Sequence, residues 1–450
     1  MPNSYLSSNT GTATNAKKFT LSMWIKRGNL CDSNSQRFYQ GYKDSNNRFY
    51  VMFDNTSSNP DTLWIYAVTG GTIQVYWTSA RKFRDTNSWY HFVFQADSTL
   101  GTAADRLKVY VNGVLETSFT KNNNPGSNID WGNQLAQTNS DLTISGTESQ
   151  TQHFDGYISH IAFVDGQALA PTSFGETDST SGIWKFKSPS GITWGNNGYH
   201  LKFENSANLG LDSSGNSNNF TVNGNLKQAL DTPSNVHATF NSLIKSLPTG
   251  GLSEGNNTAK TNGADSTWRS AFGNLGASSG KYYMEVKWVS GSHFVSGFAS
   301  QKTLSSHDFK DLTDTYSGGQ YFGIYGTALY TNGSSGGSYT AASSGDIIQL
   351  ALDMDNKKIY QGINGTWNVG GNPASGNGIS ITGDTDEFWT FGISVYSNSG
   401  TGEYQANFGN GFFGTTAITS AGSNGNGSLF EYDVPNGYYA LNTKNINTYG

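Results

Sequence analysis

Gly276-Ala277-Ser278-Ser279-Gly280 spells the Gly-x-Ser-x-Gly nucleophile elbow. That elbow holds its serine on a sharp turn between a strand and a helix, leaving the hydroxyl clear for attack on a carbonyl. Here an extended aromatic segment begins at once with Lys281, Tyr282 and Tyr283, so a loop is expected. Gly409-Asn410-Gly411-Phe412-Phe413-Gly414 spells a dinucleotide fingerprint. A pyrophosphate needs a helix N-terminus behind those glycines, and the β-branched, then Gly-rich residues that follow supply none. Glycoside hydrolysis needs two carboxylates flanking the scissile bond, in one pattern Glu-x-Asp-x-x-Glu on a single strand. Glu431-Tyr432-Asp433 begins that pattern, but Asn436 stands in the last position, and catalysis is not expected.

Two oxygen-rich stretches suit a hard cation. Asp353-Met354-Asp355-Asn356 lacks the glycine and bidentate glutamate of an EF-hand, so a turn bonded to its own backbone is expected. Asp212-Ser213-Ser214-Gly215-Asn216 is the better candidate, with Asp212 and Asn216 as calcium ligands and an Asx turn as the competing reading. The histidines, among them His91, His153, His160 and His200, lack the close pairing of a zinc site.

The elements that must carry these residues are strands. Phe19 to Ile25 alternates apolar and small polar side chains, and similar segments recur at short spacing with no convincing 3.6-residue period. "LKVYVNGVLETSF" (107–119) and "KIYQGINGTWN" (358–368) each place Asn-Gly between strands, the mark of a type I′ hairpin. Each follows a strand that ends on an aspartate, Asp97 or Asp353, so one plan occurs twice.

Composition agrees. The chain has 450 residues, beyond the roughly 250–300 at which a single core stops growing, so two domains are expected. Charged residues make up 13%, against about 25% in an average protein, and 55 glycines mark turn-rich β-structure. The net charge of −6 with scattered Lys and Arg argues against nucleic acid. Cys31 is the single cysteine, which excludes an internal disulfide. No apolar run approaches the roughly 18 residues of a membrane span, and the N-terminus lacks a signal-peptide core, so neither membrane insertion nor ordinary secretion is expected.

"FTLSMWIKRG" (19–28), "WYHFVFQAD" (89–97), "DRLKVYVNGVLETSF" (105–119) and "FDGYISHIAFVDGQALAPTSFG" (154–175) resemble the laminin-G-like branch of the concanavalin-A-like jelly rolls. "GKYYMEVKW" (280–288), "VSGFAS" (295–300), "GDIIQLALDMDNKKIYQGINGTWN" (345–368), "FWTFGISVYS" (388–397) and "QANFGN" (405–410) are similar, in order, to the strands of the SPRY family. The expected fold is all-β, with two concanavalin-A-like jelly-roll sandwiches in tandem. The domains are a laminin-G-like jelly roll at 1–176, a connector at 177–260 and a SPRY-like sandwich with a tail at 261–450. "YHLKFENSANLGLDSSGNSNNFTVNG" (199–224) either completes the first sandwich or starts the connector. The tail "FEYDVPNGYYALNTKNIN" (430–447) reads as strand-turn-strand.

The resemblance implies calcium at the Asp212 turn. It also implies binding through the long SPRY loops, where Tyr316, Tyr321, Tyr325, Tyr330 and Trp367 are candidate ligand-binding rings. The laminin-G-like and SPRY halves with this tail are similar together to structural proteins of tailed bacteriophages. That implies a non-catalytic virion protein on the particle surface, a fibre, appendage or capsid decoration. Its partners would be other virion proteins, further copies of itself in a homo-oligomer, and host-surface glycan or protein. A lectin-like carbohydrate-binding module of a cell-surface assembly is the alternative.

Overall fold

A computed structural model describes residues 4–30, 34–56, 60–131, 135, 141–147, 149, 151–248, 251–306, 311–313, 319–368 and 371–450. It divides into two units, Met1–Gln228 and Ala229–Gly450, each an antiparallel jelly-roll sandwich.

Among the described residues, one sheet of the first unit has eight strands. Their order is Phe119–Lys121, Thr72–Lys82, Thr62–Thr69, Asn47–Phe53, Gln36–Asp44, Asp141–Ile144, Tyr5–Asn9 and Thr221–Asn223. The facing sheet runs Tyr199–Leu201, Gly156–Asp165, Lys18–Arg27, Tyr90–Asp97, Leu107–Val111, Val114–Leu115. Period-2 alternation decides what fills the space between them. Leu21, Met23 and Ile25 enter the core with Phe49, Phe92, Trp131 and Phe163. Ser22 and Trp24 point to the opposite face, which the Gly175–Thr177 and Trp184–Phe186 hairpin covers. Trp24 stacks on His91 at 4.5 Å, and the Trp184 indole N–H donates to His91 Nδ1 at 2.9 Å.

Among the described residues, the second unit pairs a seven-stranded sheet with a nine-stranded one. One has the order Phe240–Lys245, Arg269–Gly273, Trp389–Tyr396, His293–Ser300, Tyr321–Tyr325, Ala328–Thr331, Ser334–Gly336. The other centres on Lys281–Ser290, Ile347–Asp353 and Lys358–Ile363. Phe298, Leu350, Phe391 and Tyr404 fill the core.

Both Asn-Gly turns adopt the expected geometry, with φ of 50° and 78° at Asn112-Gly113 and 48° and 84° at Asn364-Gly365. Each asparagine closes the same pair of bonds. Asn112 exchanges backbone N–H and side-chain carbonyl with His91, and Asn364 does so with Ile347.

The stretch 177–260 is divided between the units. Tyr199–Leu201 pairs with Gly156–Asp165, and Thr221–Asn223 with Tyr5–Asn9, so both add to the first sandwich. Phe240–Lys245 and Thr258–Lys260 are strands of the second. The tail also differs from strand-turn-strand: Tyr439–Ala440 pairs parallel with Lys281–Ser290, and a helix, Thr443–Tyr449, follows. Asn442 starts that helix by accepting the Asn445 N–H through its side chain at 2.8 Å.

The loop reading of 276–280 holds, since Lys281–Ser290 starts directly after it. After Gly409 the chain forms the short strands Phe412–Phe413 and Thr416–Ala417, with no helix to face a phosphate. No helix of the described residues is long and apolar enough to cross a membrane.

Candidate functional site

Along His293–Ser300, Phe294 and Phe298 enter the inter-sheet core, so His293, Val295 and Ala299 face outward. Part of that outer face is sealed, because Val295 and Ala299 pack with Phe272, Leu304, Leu312 and Tyr321. Towards the other end the face carries a row of five half-buried rings, four on neighbouring strands and one, Trp268, just before the strand that flanks them. Trp268 leads Arg269–Gly273, Tyr396 ends its strand, His293 begins its own, Tyr325 ends the next and Tyr330 lies on the fifth. Register places His293 opposite Tyr396, and Tyr330 opposite Gly323, two residues before Tyr325. Ring centroids are 5.4 Å apart for Trp268–Tyr396, 5.4 Å for Tyr396–His293, 5.5 Å for His293–Tyr325 and 6.4 Å for Tyr325–Tyr330.

The row is braced from within. The Tyr325 hydroxyl and His293 Nδ1 are hydrogen-bonded at 2.9 Å, and the Tyr404 hydroxyl donates to the His293 carbonyl at 2.8 Å. Burial, with Tyr330 beside it, pushes the Tyr325 phenol up, so at neutral pH it stays protonated. His293 and Tyr325 also border a pocket of about 260 Å³ with Trp288, Phe294, Thr340 and Gln361. At its polar side Gln361 donates to Ser296 Oγ at 2.8 Å and accepts from Asn368 at 2.6 Å, while Asn368 accepts the Thr340 N–H at 2.7 Å. No carboxylate lines the pocket among the described residues, so it offers apolar contact and hydrogen bonds without an acid/base pair.

Of the five rings expected from the sequence, Tyr325 and Tyr330 lie in this row. Tyr321 is fully buried in the sealed part of the face. Trp367 sits on the other sheet, against Tyr283 and Tyr360 at 6.4 and 6.5 Å, in a cluster with Phe430 and Tyr438 of the tail. Tyr316 lies outside the described residues. Trp268, His293 and Tyr396 complete the row and belong to none of the motifs that the sequence displays as binding loops. Each sits at the end of a period-2 pattern, which was the available signal, but it does not tell which strands are neighbours.

The donor set of the Asp212 turn decides whether it suits calcium. The carboxylate accepts the N–H groups of His200, Ser214 and Asn218 at 2.9, 2.8 and 2.9 Å, and the Ser214 hydroxyl at 2.8 Å. Asn216 turns its amino group, not its oxygen, to the carbonyls of Gly195 and Gly198 at 2.6 and 2.9 Å. Four protons occupy the carboxylate, so these residues fit an Asx turn that joins 195–200 to 212–218 and do not fit calcium. No group of three or more His, Cys, Asp or Glu side chains among the described residues could hold a metal ion. Asp353 likewise receives the Asn356 N–H and side-chain amide, both at 2.9 Å, as a turn does.

Residues 2–173 match the concanavalin A-like lectin/glucanases superfamily. No curated protein matches the chain. Among solved structures, the SPRY domain of human HERC1 is similar at 18% identity and a TM-score of 0.29, over 37% of this chain and 96% of that one. Domain 4 of AbnA, a GH43 extracellular arabinanase from Geobacillus stearothermophilus, in complex with arabinotriose, is similar at 19% identity and a TM-score of 0.25, over 35% of this chain and 65% of that one. A heptameric SAP-like pentraxin from Limulus polyphemus is similar at 18% identity and a TM-score of 0.25, over 37% of this chain and 78% of that one. None of these likenesses bears on what this chain binds.

Proposed function

We propose that the protein is a non-catalytic binding protein that presents the Trp268–Tyr330 row to a host-surface glycan. It does so as a structural component of a tailed phage particle, a fibre, appendage or capsid decoration. The observation that carries the binding reading is the row itself: five adjacent half-buried rings beside a pocket with amide and hydroxyl groups but no carboxylate. Aromatic faces stack on the C–H faces of sugars, and a few placed polar groups fix orientation. At about 260 Å³ the pocket lies just under the usual ligand range of roughly 300 Å³ and above, room for a single sugar ring or part of one. Display in many copies strengthens attachment, since linked sites raise avidity by about 10²–10⁴. The virion part of the proposal rests on the laminin-G-like and SPRY motifs with the tail.

A glycan array probed with the labelled protein tests the binding role. Capture by defined neutral or amphipathic glycans, lost in Trp268→Ala, is the expected result, and an array without any capture contradicts it. Mass spectrometry of particles purified from a lysate of the source culture tests the location. Absence of the protein from the particles removes the virion reading and leaves a cell-surface module.

A further inference from the structure

The face of the first unit's eight-stranded sheet that points away from its core carries a second constellation. Tyr39, Phe49, Val51, Ile65, Val75 and Trp77 face the core, so their neighbours Arg48, Tyr50, Trp64, Tyr66 and Tyr76 face outward. Tyr50, Tyr66 and Tyr76 stand directly opposite one another on three adjacent strands, with centroids 5.1 and 5.9 Å apart. Trp64 packs against all three, at 6.0, 6.4 and 5.5 Å. Arg37 lies over the Tyr50 ring at 3.9 Å, and Arg48 over Tyr66 at 5.4 Å.

The electrostatics of Arg48 are unusual for this chain. Arg27 and Arg84 bond Asp61, Arg81 pairs with Glu116, Arg269 with Asp265, Arg106 donates to carbonyls and Arg37 donates to Gln40. Arg48 has no hydrogen-bond acceptor or ion-pair partner among the described residues. Its Nε is buried and unpaired. Asp141 lies two strands away, beyond Tyr42, and Asp44, opposite Asn47 on the adjacent strand, accepts from Asn46 and Asn47, so neither forms an ion pair with Arg48. A half-buried guanidinium with no protein acceptor keeps its donors available to an anion. Burial pushes the Tyr50 phenol up to about 12, against the pull of Arg37, so it remains a hydrogen-bond donor. The face therefore combines two propped guanidiniums, three phenols in register and the indole of Trp64, half-buried except for Tyr76, which is 36% exposed.

We infer that this face is a second binding site, separate from the aromatic row of the other unit, for a polysaccharide that carries carboxylates. The planar guanidinium fork of Arg48 would take a uronate carboxylate in two parallel bonds, with Arg37 adding charge. The line of tyrosines across three strands supplies repeated ring and hydroxyl contacts along an extended saccharide. An acidic peptide is disfavoured because peptides add to an exposed strand edge or lie in a groove, and this site is the face of central strands.

The full-length protein is titrated with polygalacturonate, with neutral dextran and dextran sulfate in parallel. Polygalacturonate is expected to bind, more weakly as salt rises, and dextran not to bind. Arg48→Gln should weaken polygalacturonate binding roughly tenfold, since a neutral amide cannot replace the charged two-bond fork, with thermal unfolding unchanged. Arg48→Lys should recover only part of it, because the ammonium keeps the charge without the fork. Trp268→Ala should leave this binding intact, which separates it from the site of the second unit. Failure to bind polygalacturonate, equal binding of dextran sulfate, or an unchanged affinity in Arg48→Gln overturns the inference.

Discussion

Asn112 and Asn364 each hold a positive φ, 50° and 48°, that a side chain other than Asn or Gly adopts at a cost. Replacing Asn364 by Ala removes its side-chain bonds to the Ile347 N–H and to the Asp346 carboxylate and strains the turn, so the second unit should lose about 1–2 kcal/mol of stability. Thermal unfolding reads this directly, and an unshifted transition argues against the turn's role. These turns were legible because their chemistry is local: two residues and the alternation on either side determine them. Tyr325 and Tyr330 stand out in the sequence as aromatics of a long SPRY loop, whereas the structure places them on the paired strands Tyr321–Tyr325 and Ala328–Thr331, because a hairpin forms inside that loop. Trp268, His293 and Tyr396 were not legible, since 128 positions separate Trp268 from Tyr396 and only sheet order brings them to 5.4 Å. The Asp212 turn shows the converse limit. Its composition suits calcium, yet the backbone N–H groups that fill its carboxylate come from a chain path that composition does not reveal.

At the scale of elements, two covers respond to pH in opposite directions. The 175–186 hairpin lies over His91 and His160, with His200 beside them. Burial pushes His91 down to about 3 and His160 and His200 down to about 4, with neighbouring positive groups adding to each. Their stabilising contribution is complete above the unfolded value of about 6.5 and fades as pH falls towards 4. The first unit should therefore lose melting temperature between pH 6.5 and 4, and His160→Gln should flatten part of that slope. A slope unchanged by the substitution would assign the acid sensitivity elsewhere. In the second unit, Glu285 accepts the N–H groups of Glu431 and Tyr432, both at 2.8 Å, and so ties down the tail. Burial raises its pKa to about 7, although those donors oppose the rise. A raised carboxyl contributes below the unfolded value of about 4.5, and that contribution is lost as pH rises through 7. Glu285→Gln should accordingly stabilise the second unit at pH 8 relative to pH 5, as measured by its melting temperature, and an equal effect at both pH values would contradict the assignment.

For the whole molecule, tandem sandwiches were legible from length, glycine content and the twice-written strand, Asp, Lys-rich strand and Asn-Gly plan. The division at 228/229 was not, because Tyr199–Leu201 and Thr221–Asn223 are three-residue strands whose partners begin at Gly156 and Tyr5. Strands that short carry too little alternation to announce themselves. Each unit has its own apolar core, so calorimetry should resolve two transitions, with Asn364→Ala and Glu285→Gln moving one and His160→Gln the other. The two proposed faces belong to separate cores, so one chain would carry two chemistries, neutral rings on one unit and carboxylates on the other. The most direct test of the central claim is saturable attachment of the labelled full-length protein to cells of candidate hosts, comparing wild type with Trp268→Ala/Tyr325→Ala. Attachment to one host that falls at least tenfold in the double variant, with both melting transitions retained, is the expected result. Attachment of equal strength in the two proteins would contradict the assignment of the aromatic row as the binding site.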